Sequence, residues 1–99
     1  MNFARTDQGE ATTLRIEGSL DAISTPELRV VIDALVADKR KQITVDVSAL
    51  RLIDSSGVGA LVSLYKRARG YGGKVTVQGL RDQPLAIFKL LRLDKVLVG

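Results

Sequence analysis

The residues best placed to do chemistry in this chain are Asp54-Ser55-Ser56-Gly57, an acid, two adjacent hydroxyls and a glycine just ahead of an amphipathic segment. A serine at a helix start lies beside backbone N–H groups with no intrahelical partner and at the positive end of the helix dipole. A phosphate placed there gains charge-assisted hydrogen bonds, and its extra charge of about −1.5 to −2 is tolerated. The same four residues also make an ordinary helix start, with Ser or Asp as N-cap and small residues that let the turn pack tightly. The local pattern alone favours the cap and leaves a hydroxyl to spare.

Other motifs fail on spacing or on missing partners. Gly57-Val58-Gly59 resembles the opening of a dinucleotide fingerprint, but the third glycine would fall at Val62, and no G-x-x-x-x-G-K-[ST] loop occurs. Ser63-Leu64-Tyr65-Lys66 matches S-x-x-K without a second lysine motif, in a chain too short for those acyl-transfer folds. Asp21 and Asp54 could be read as paired carboxylates, yet each has a local reason, in a strand-to-helix loop and ahead of a helix. The chain has no cysteine and no histidine, which removes thiol nucleophiles, disulfides, the commonest metal ligands and the commonest general base. A Ser-His-Asp hydrolase cannot be assembled from it. The expectation is a protein that is not an enzyme, with no catalytic residue, no metal site and no cofactor.

Fifteen Lys and Arg against eleven Asp and Glu leave a net charge of +4, which favours acidic partners through long-range attraction. The positives are spread along the chain, and the 4% of aromatic residues do not alternate with them as a stacking surface for single strands requires. No direct nucleic-acid contact is expected. No apolar run approaches the roughly 18 to 20 residues of a membrane span, and the first residues have no apolar h-region, so neither membrane insertion nor export is expected and the default location is the cytoplasm.

These residues need elements to hold them. Ninety-nine residues suit one domain, residues 1–99, built on a single core. Phe3 to Arg5 reads as a short strand, Asp7 to Glu10 as a turn, and Ala11 to Gly18 as a strand with Leu14 and Ile16 on one face. Ser24 as N-cap, Glu27 completing a capping box and Pro26 in the first turn open a helix to about Asp38. Its apolar stripe is Leu28, Val31, Ile32 and Leu35. Lys39-Arg40-Lys41 reads as a solvated helix end matched to the dipole. Gln42 to Val47 is an alternating, β-branched strand, and Ser48 to Ile53 a connection with Leu50, Leu52 and Ile53 turned inward.

A second helix runs from the Asp54-Ser55-Ser56-Gly57 stretch to about Arg69, burying Val58, Leu61, Val62, Leu64, Tyr65 and Ala68, and Gly70 to Gly73 breaks it. Lys74 to Gln78 is a strand, Gln83 to Arg92 a third helix, and Val96 to Val98 a closing strand. In the third helix, Leu85, Phe88 and Leu91, or Ile87 and Leu90, face inward. The order β-β-α-β-α-β-α-β points to an α/β fold with right-handed parallel crossovers.

The ordered landmarks Gly18-Ser19-Leu20-Asp21, Ile43-Thr44-Val45-Asp46-Val47-Ser48, Ile53-Asp54-Ser55-Ser56-Gly57-Val58-Gly59 and Gly72-Gly73-Lys74-Val75 resemble the STAS family of sulfate transporters and anti-sigma factor antagonists. The end of the third helix, Phe88 to Leu93 followed by Asp94-Lys95-Val96, extends the likeness over nearly the whole chain. The resemblance implies a STAS fold, a mostly parallel sheet of four to five strands with three or four helices. For a chain this short it implies an anti-sigma factor antagonist, which binds an anti-sigma factor that is often a GHKL-type serine kinase. In that family the kinase phosphorylates the first serine of D-S-S-G, which blocks binding, and a PP2C-type phosphatase restores it. Carried onto this sequence, Ser55 is the phosphoacceptor, and Asp21, Asp54, Ser55, Ser56, Gly57, Val58 and Gly59 form the partner surface, with nearby residues of the 19–25 loop. The two glycines are then read as clearance for the partner. Antagonists of the family are commonly acidic, whereas this chain is basic. That leaves open a STAS subunit of a lipid-transporting ABC complex, whose site more often reads D-T-G-G, or a scaffold in a signalling assembly.

Overall fold

A computed structural model of the chain describes residues 2–97. Strand β1 (Asn2–Gln8) and strand β2 (Ala11–Leu20) form an antiparallel hairpin, closed where Gly9 adopts φ +58° and Gln8 pairs with Ala11. Helix α1 (Thr25–Ala37), strand β3 (Gln42–Ile53), helix α2 (Ser55–Gly70), strand β4 (Lys74–Gln78) and helix α3 (Asp82–Leu90) follow. The sheet order is β1-β2-β3-β4, with β2, β3 and β4 mutually parallel. Of the expected range, the described residues hold four strands and three helices.

The alternation in each strand sets the core face. Leu14, Val45 and Val77 pair across β2, β3 and β4 and are fully buried, as are Leu28 and Leu35 of α1 and Leu64 and Ala68 of α2. Phe88 of α3 closes the same core. On the opposite face a row of hydroxyls, Thr6, Thr13, Thr44 and Thr76, pairs across all four strands, which is what a polar sheet face requires.

Five expectations are corrected by the fold. Residues 48–53 are not a connection: β3 continues to Ile53 because β2 runs on beside it to Leu20. Register shifts near Arg15/Glu17 and Gly18/Ser19, with Gly18 at φ +93°, break the simple alternation that marks a strand in sequence. They also turn Leu52 outward, 54% exposed, while Leu50 and Ile53 stay buried. Arg40 is not a solvated helix end. Its Nε donates to Thr12 Oγ1 at 2.7 Å, and its terminal nitrogen donates to the carbonyls of Gly9 and Ala11 at 2.6 and 3.0 Å, so it clasps the β1–β2 hairpin.

In α3, Phe88 and Pro84 are the buried residues, whereas Leu90 and Leu91 are exposed. Val96 and Leu97 form a turn and not a strand, with Val98 outside the described residues. Leu97 is buried, and its carbonyl accepts one hydrogen bond from Val77 N–H at 2.6 Å.

Candidate functional site

Asp54 is the N-cap of α2. Its backbone is extended, and its Oδ1 accepts from the amides of Ser56 and Gly57 at 2.9 and 3.1 Å. That carboxylate already occupies two of the donors a phosphate on Ser55 would seek. Ser55 is the first residue of the helix and is exposed, while Ser56 is half-buried. The two serines are therefore not equivalent: one is exposed at the helix tip and the other is partly covered by the domain.

The two glycines differ as well. Gly57 is buried, and a β-carbon there would lie 2.7 Å from Leu20 Cγ and 2.8 Å from Ile53 Cγ1. Its duty is close packing of the helix start onto the ends of β2 and β3. Gly59 is exposed, and the nearest atom to a β-carbon would be a terminal nitrogen of Arg29, 4.0 Å away. Val58 is 6% exposed and belongs to the core. Among the seven residues expected at the partner surface, Asp54, Ser55 and Gly59 are exposed, Asp21 and Ser56 half-buried, and Gly57 and Val58 beneath them.

Asp21 stands in the loop between β2 and α1. Its Oδ1 accepts from the backbone N–H of Ile23 and of Ser24, each at 3.0 Å. The Ser24 amide bond, with that of Ile23 behind it, holds the Asp21 carboxyl below the usual carboxylate range against the opposing effect of burial. Ser24 makes no capping box with Glu27. Its hydroxyl faces back into the loop, accepting from Asp21 N–H and donating to the Ser19 carbonyl, both at 3.0 Å. The competing partners are local: the Asp21 amide and the Ser19 carbonyl engage the hydroxyl in place of a helix amide.

Asp21 and Asp54 line one shallow cleft of about 330 Å³ with Ser19, Leu20, Leu52, Ile53 and Gln83. The topology brings them together, because Leu20 and Ile53 are paired at the ends of β2 and β3 and Asp54 N–H donates to the Leu20 carbonyl at 3.1 Å. A smaller recess of about 260 Å³, lined by Gln42, Ile43, Thr44, Lys74 and Thr76, lies at the opposite end of the strands.

Sequence reasoning missed Gln83, and within the 19–25 loop it did not single out Ile23. Gln83 holds the backbone of Ile53 by two hydrogen bonds of 2.9 Å, although in the chain it stands only as a polar residue before Pro84. Ile23 is 91% exposed at the tip of the Asp21 loop, an apolar residue with no periodic partner to draw attention to it. Among the described residues, no group of three or more carboxylates could hold a metal ion, and no helix is long and apolar enough to cross a membrane.

Comparison with known proteins gives a consistent result. The sequence model of the family described as "Mlab, STAS domain" matches residues 3–99. The anti-sigma-B factor antagonist of Staphylococcus aureus is 24% identical over 97 residues, covering 98% of this chain and 90% of its own. An anti-sigma factor antagonist from Mycobacterium paratuberculosis superimposes with a TM-score of 0.83 at 24% identity, covering 95% of this chain and 80% of its own. The Bacillus cell fate determinant SpoIIAA in its phosphorylated form gives 0.78 at 20% identity, covering 95% and 86%. At these identities the structural likenesses speak for the fold.

Proposed function

The chain belongs to the STAS domain family, and from that membership we propose that it is an anti-sigma factor antagonist, a binding module switched by phosphorylation of Ser55. The observation that carries the reading is the exposed Ser55 at the first position of α2, set between the Asp54 cap and a helix start that Gly57 seats directly on Leu20 and Ile53. The S. aureus relative named an anti-sigma-B factor antagonist supports it over nearly the full length.

In this reading the unmodified protein works in the cytoplasm and presents a neutral hydroxyl to an anti-sigma factor that is also a GHKL-type serine kinase. The contacts are the exposed Asp54, Ser55 and Gly59 and the half-buried Asp21 and Ser56, with Gly57 and Val58 supporting them from below. Binding withdraws the anti-sigma factor and frees the sigma factor. The kinase then moves the γ-phosphoryl group of ATP to Ser55 Oγ, forming a P–O bond as the hydroxyl proton leaves, with ADP as the second product. The added charge of about −1.5 to −2 enters at the residue next to Asp54, whose carboxylate already takes the Ser56 and Gly57 amides. Repulsion and the cost of desolvating that charge at an interface shaped for a neutral group release the partner. A PP2C-type phosphatase hydrolyses the ester and restores binding.

Incubation with the co-purified kinase and ATP, followed by mass-spectrometric mapping, tests the reading. Phosphate on Ser55 is expected; phosphate on Ser56, or none, overturns the assignment. The matching family carries the description "Mlab, STAS domain" and not an antagonist's name, which keeps a second reading under test, the STAS subunit of a lipid-transporting ABC complex. Co-purification of the untreated protein with transporter components in place of a kinase would decide for it.

A further inference from the structure

The backbone just ahead of Ser55 is held by a residue from a distant element. The β3–β4 ladder ends at the pair Asp46 and Gln78, so β3 outruns its neighbour by the seven residues from Val47 to Ile53. At the end of that overhang the side chain of Gln83 takes the place of a strand. Its Oε1 accepts from Ile53 N–H and its Nε2 donates to the Ile53 carbonyl, both at 2.9 Å, the pattern one peptide group offers another. The other edge is tied to β2 by Asp54 N–H and the Leu20 carbonyl at 3.1 Å. Asp82, the residue before Gln83, sits at φ +53°, a left-handed conformation that a β-carbon disfavours. Such a conformation persists where surrounding contacts dictate it, and here it opens α3 one residue before Gln83, which grips Ile53. Gln83 is half-buried and lines the same cleft as Asp21 and Asp54.

We infer that Gln83 is a positioning residue for the Ser55 site, clamping Ile53 so that the Asp54–Gly57 turn presents the hydroxyl in one geometry to the kinase. The inference rests on the Ser55 reading above. Loss of the clamp frees the end of β3 without touching the cap, the acceptor or the core face. A residue that merely contributes to stability would, when replaced, loosen the whole domain evenly.

The test compares wild type, Gln83→Met, which keeps the side-chain length but removes both hydrogen bonds, and Gln83→Glu, which keeps the acceptor for Ile53 N–H and sets an oxygen against the Ile53 carbonyl. Amide hydrogen exchange on the full chain should rise about ten-fold or more at Ile53 to Gly57 in Gln83→Met, while Leu14 and Ile16 of β2 hold their protection. With the kinase captured on wild-type protein, kcat for Ser55 modification should fall about ten-fold in Gln83→Met and at least as far in Gln83→Glu, whose carboxylate oxygen faces the Ile53 carbonyl. Unchanged exchange at the turn, or a uniform rise across the chain, overturns the inference, as does an unchanged kcat. If wild type is not modified at Ser55 the functional reading falls, and the exchange comparison still decides whether Gln83 sets the turn.

Discussion

Gly57 and Leu20 stand so close that a methyl group on Gly57 would lie 2.7 Å from Leu20 Cγ, inside the contact distance of any two carbon atoms. The start of α2 is thereby seated on the end of β2 with no space between them. Gly57→Ala should destabilise the fold by about 1–3 kcal/mol, the usual cost of overpacking. Gly59→Ala, at an exposed helical position with open space, should be neutral or stabilise by up to about 1 kcal/mol. Denaturant unfolding of the two variants checks this, and equal losses would contradict the packing role.

The cap can be separated from the switch. Asp54→Ala removes the acceptor for Ser56 and Gly57 N–H and should cost about 1 kcal/mol, whereas Asp54→Asn should keep most of it. Ser55→Ala should leave the melting temperature nearly unchanged. A large thermal shift in Ser55→Ala would mean that the hydroxyl serves the fold.

Binding should follow the charge at position 55. Ser55→Asp should weaken capture of the kinase partner by ten-fold or more, of the order of 1.4 kcal/mol. Ser55→Ala should bind and resist modification. Calorimetry or surface capture with the purified partner reads both, and tight binding of Ser55→Asp would exclude a charge switch.

The Asp21 loop should be acid-sensitive. Hydrogen bonds from Ser24 and then Ile23 lower the folded pKa of Asp21, and the Ser48 amide lowers that of Asp46 in the same sense. A depressed folded pKa contributes stability that is present above the unfolded carboxylate value of about 3.9 and is lost as pH falls through the folded value. NMR titration should therefore place the Asp21 midpoint below that of a free carboxylate, with the Ile23 and Ser24 amide shifts moving together. A midpoint at or above the free value would remove the loop's electrostatic account.

Arg40 should be worth more than a surface cation. Arg40→Ala takes charge-assisted bonds from Thr12 and from the carbonyls of Gly9 and Ala11, for a loss of about 2 kcal/mol. Arg40→Lys should recover little, since one ammonium cannot reproduce the planar fork. Full rescue by lysine in chemical denaturation would show that charge alone matters there.

By itself the sequence determined what short-range physics controls. The stripe Leu28, Ile32 and Leu35, the alternation Ile43, Val45 and Val47, and the acid ahead of Ser55 all act within one helical turn or one strand, and all stand where their spacing put them. The absence of histidine and cysteine likewise needed no fold to be informative. Tertiary structure decided what depends on neighbours far apart in the chain. Arg40 meets Thr12 across 28 residues and Gln83 meets Ile53 across 30, while Gly57 meets Leu20 only because β2 and β3 end side by side. Residues 48–53 became strand for the same reason, since a ladder forms where a partner strand runs alongside, whatever the local alternation suggests. A neighbour distant in sequence also sets the two glycines' duties apart: identical in type and two positions apart, they differ because one faces Leu20 and the other faces solvent.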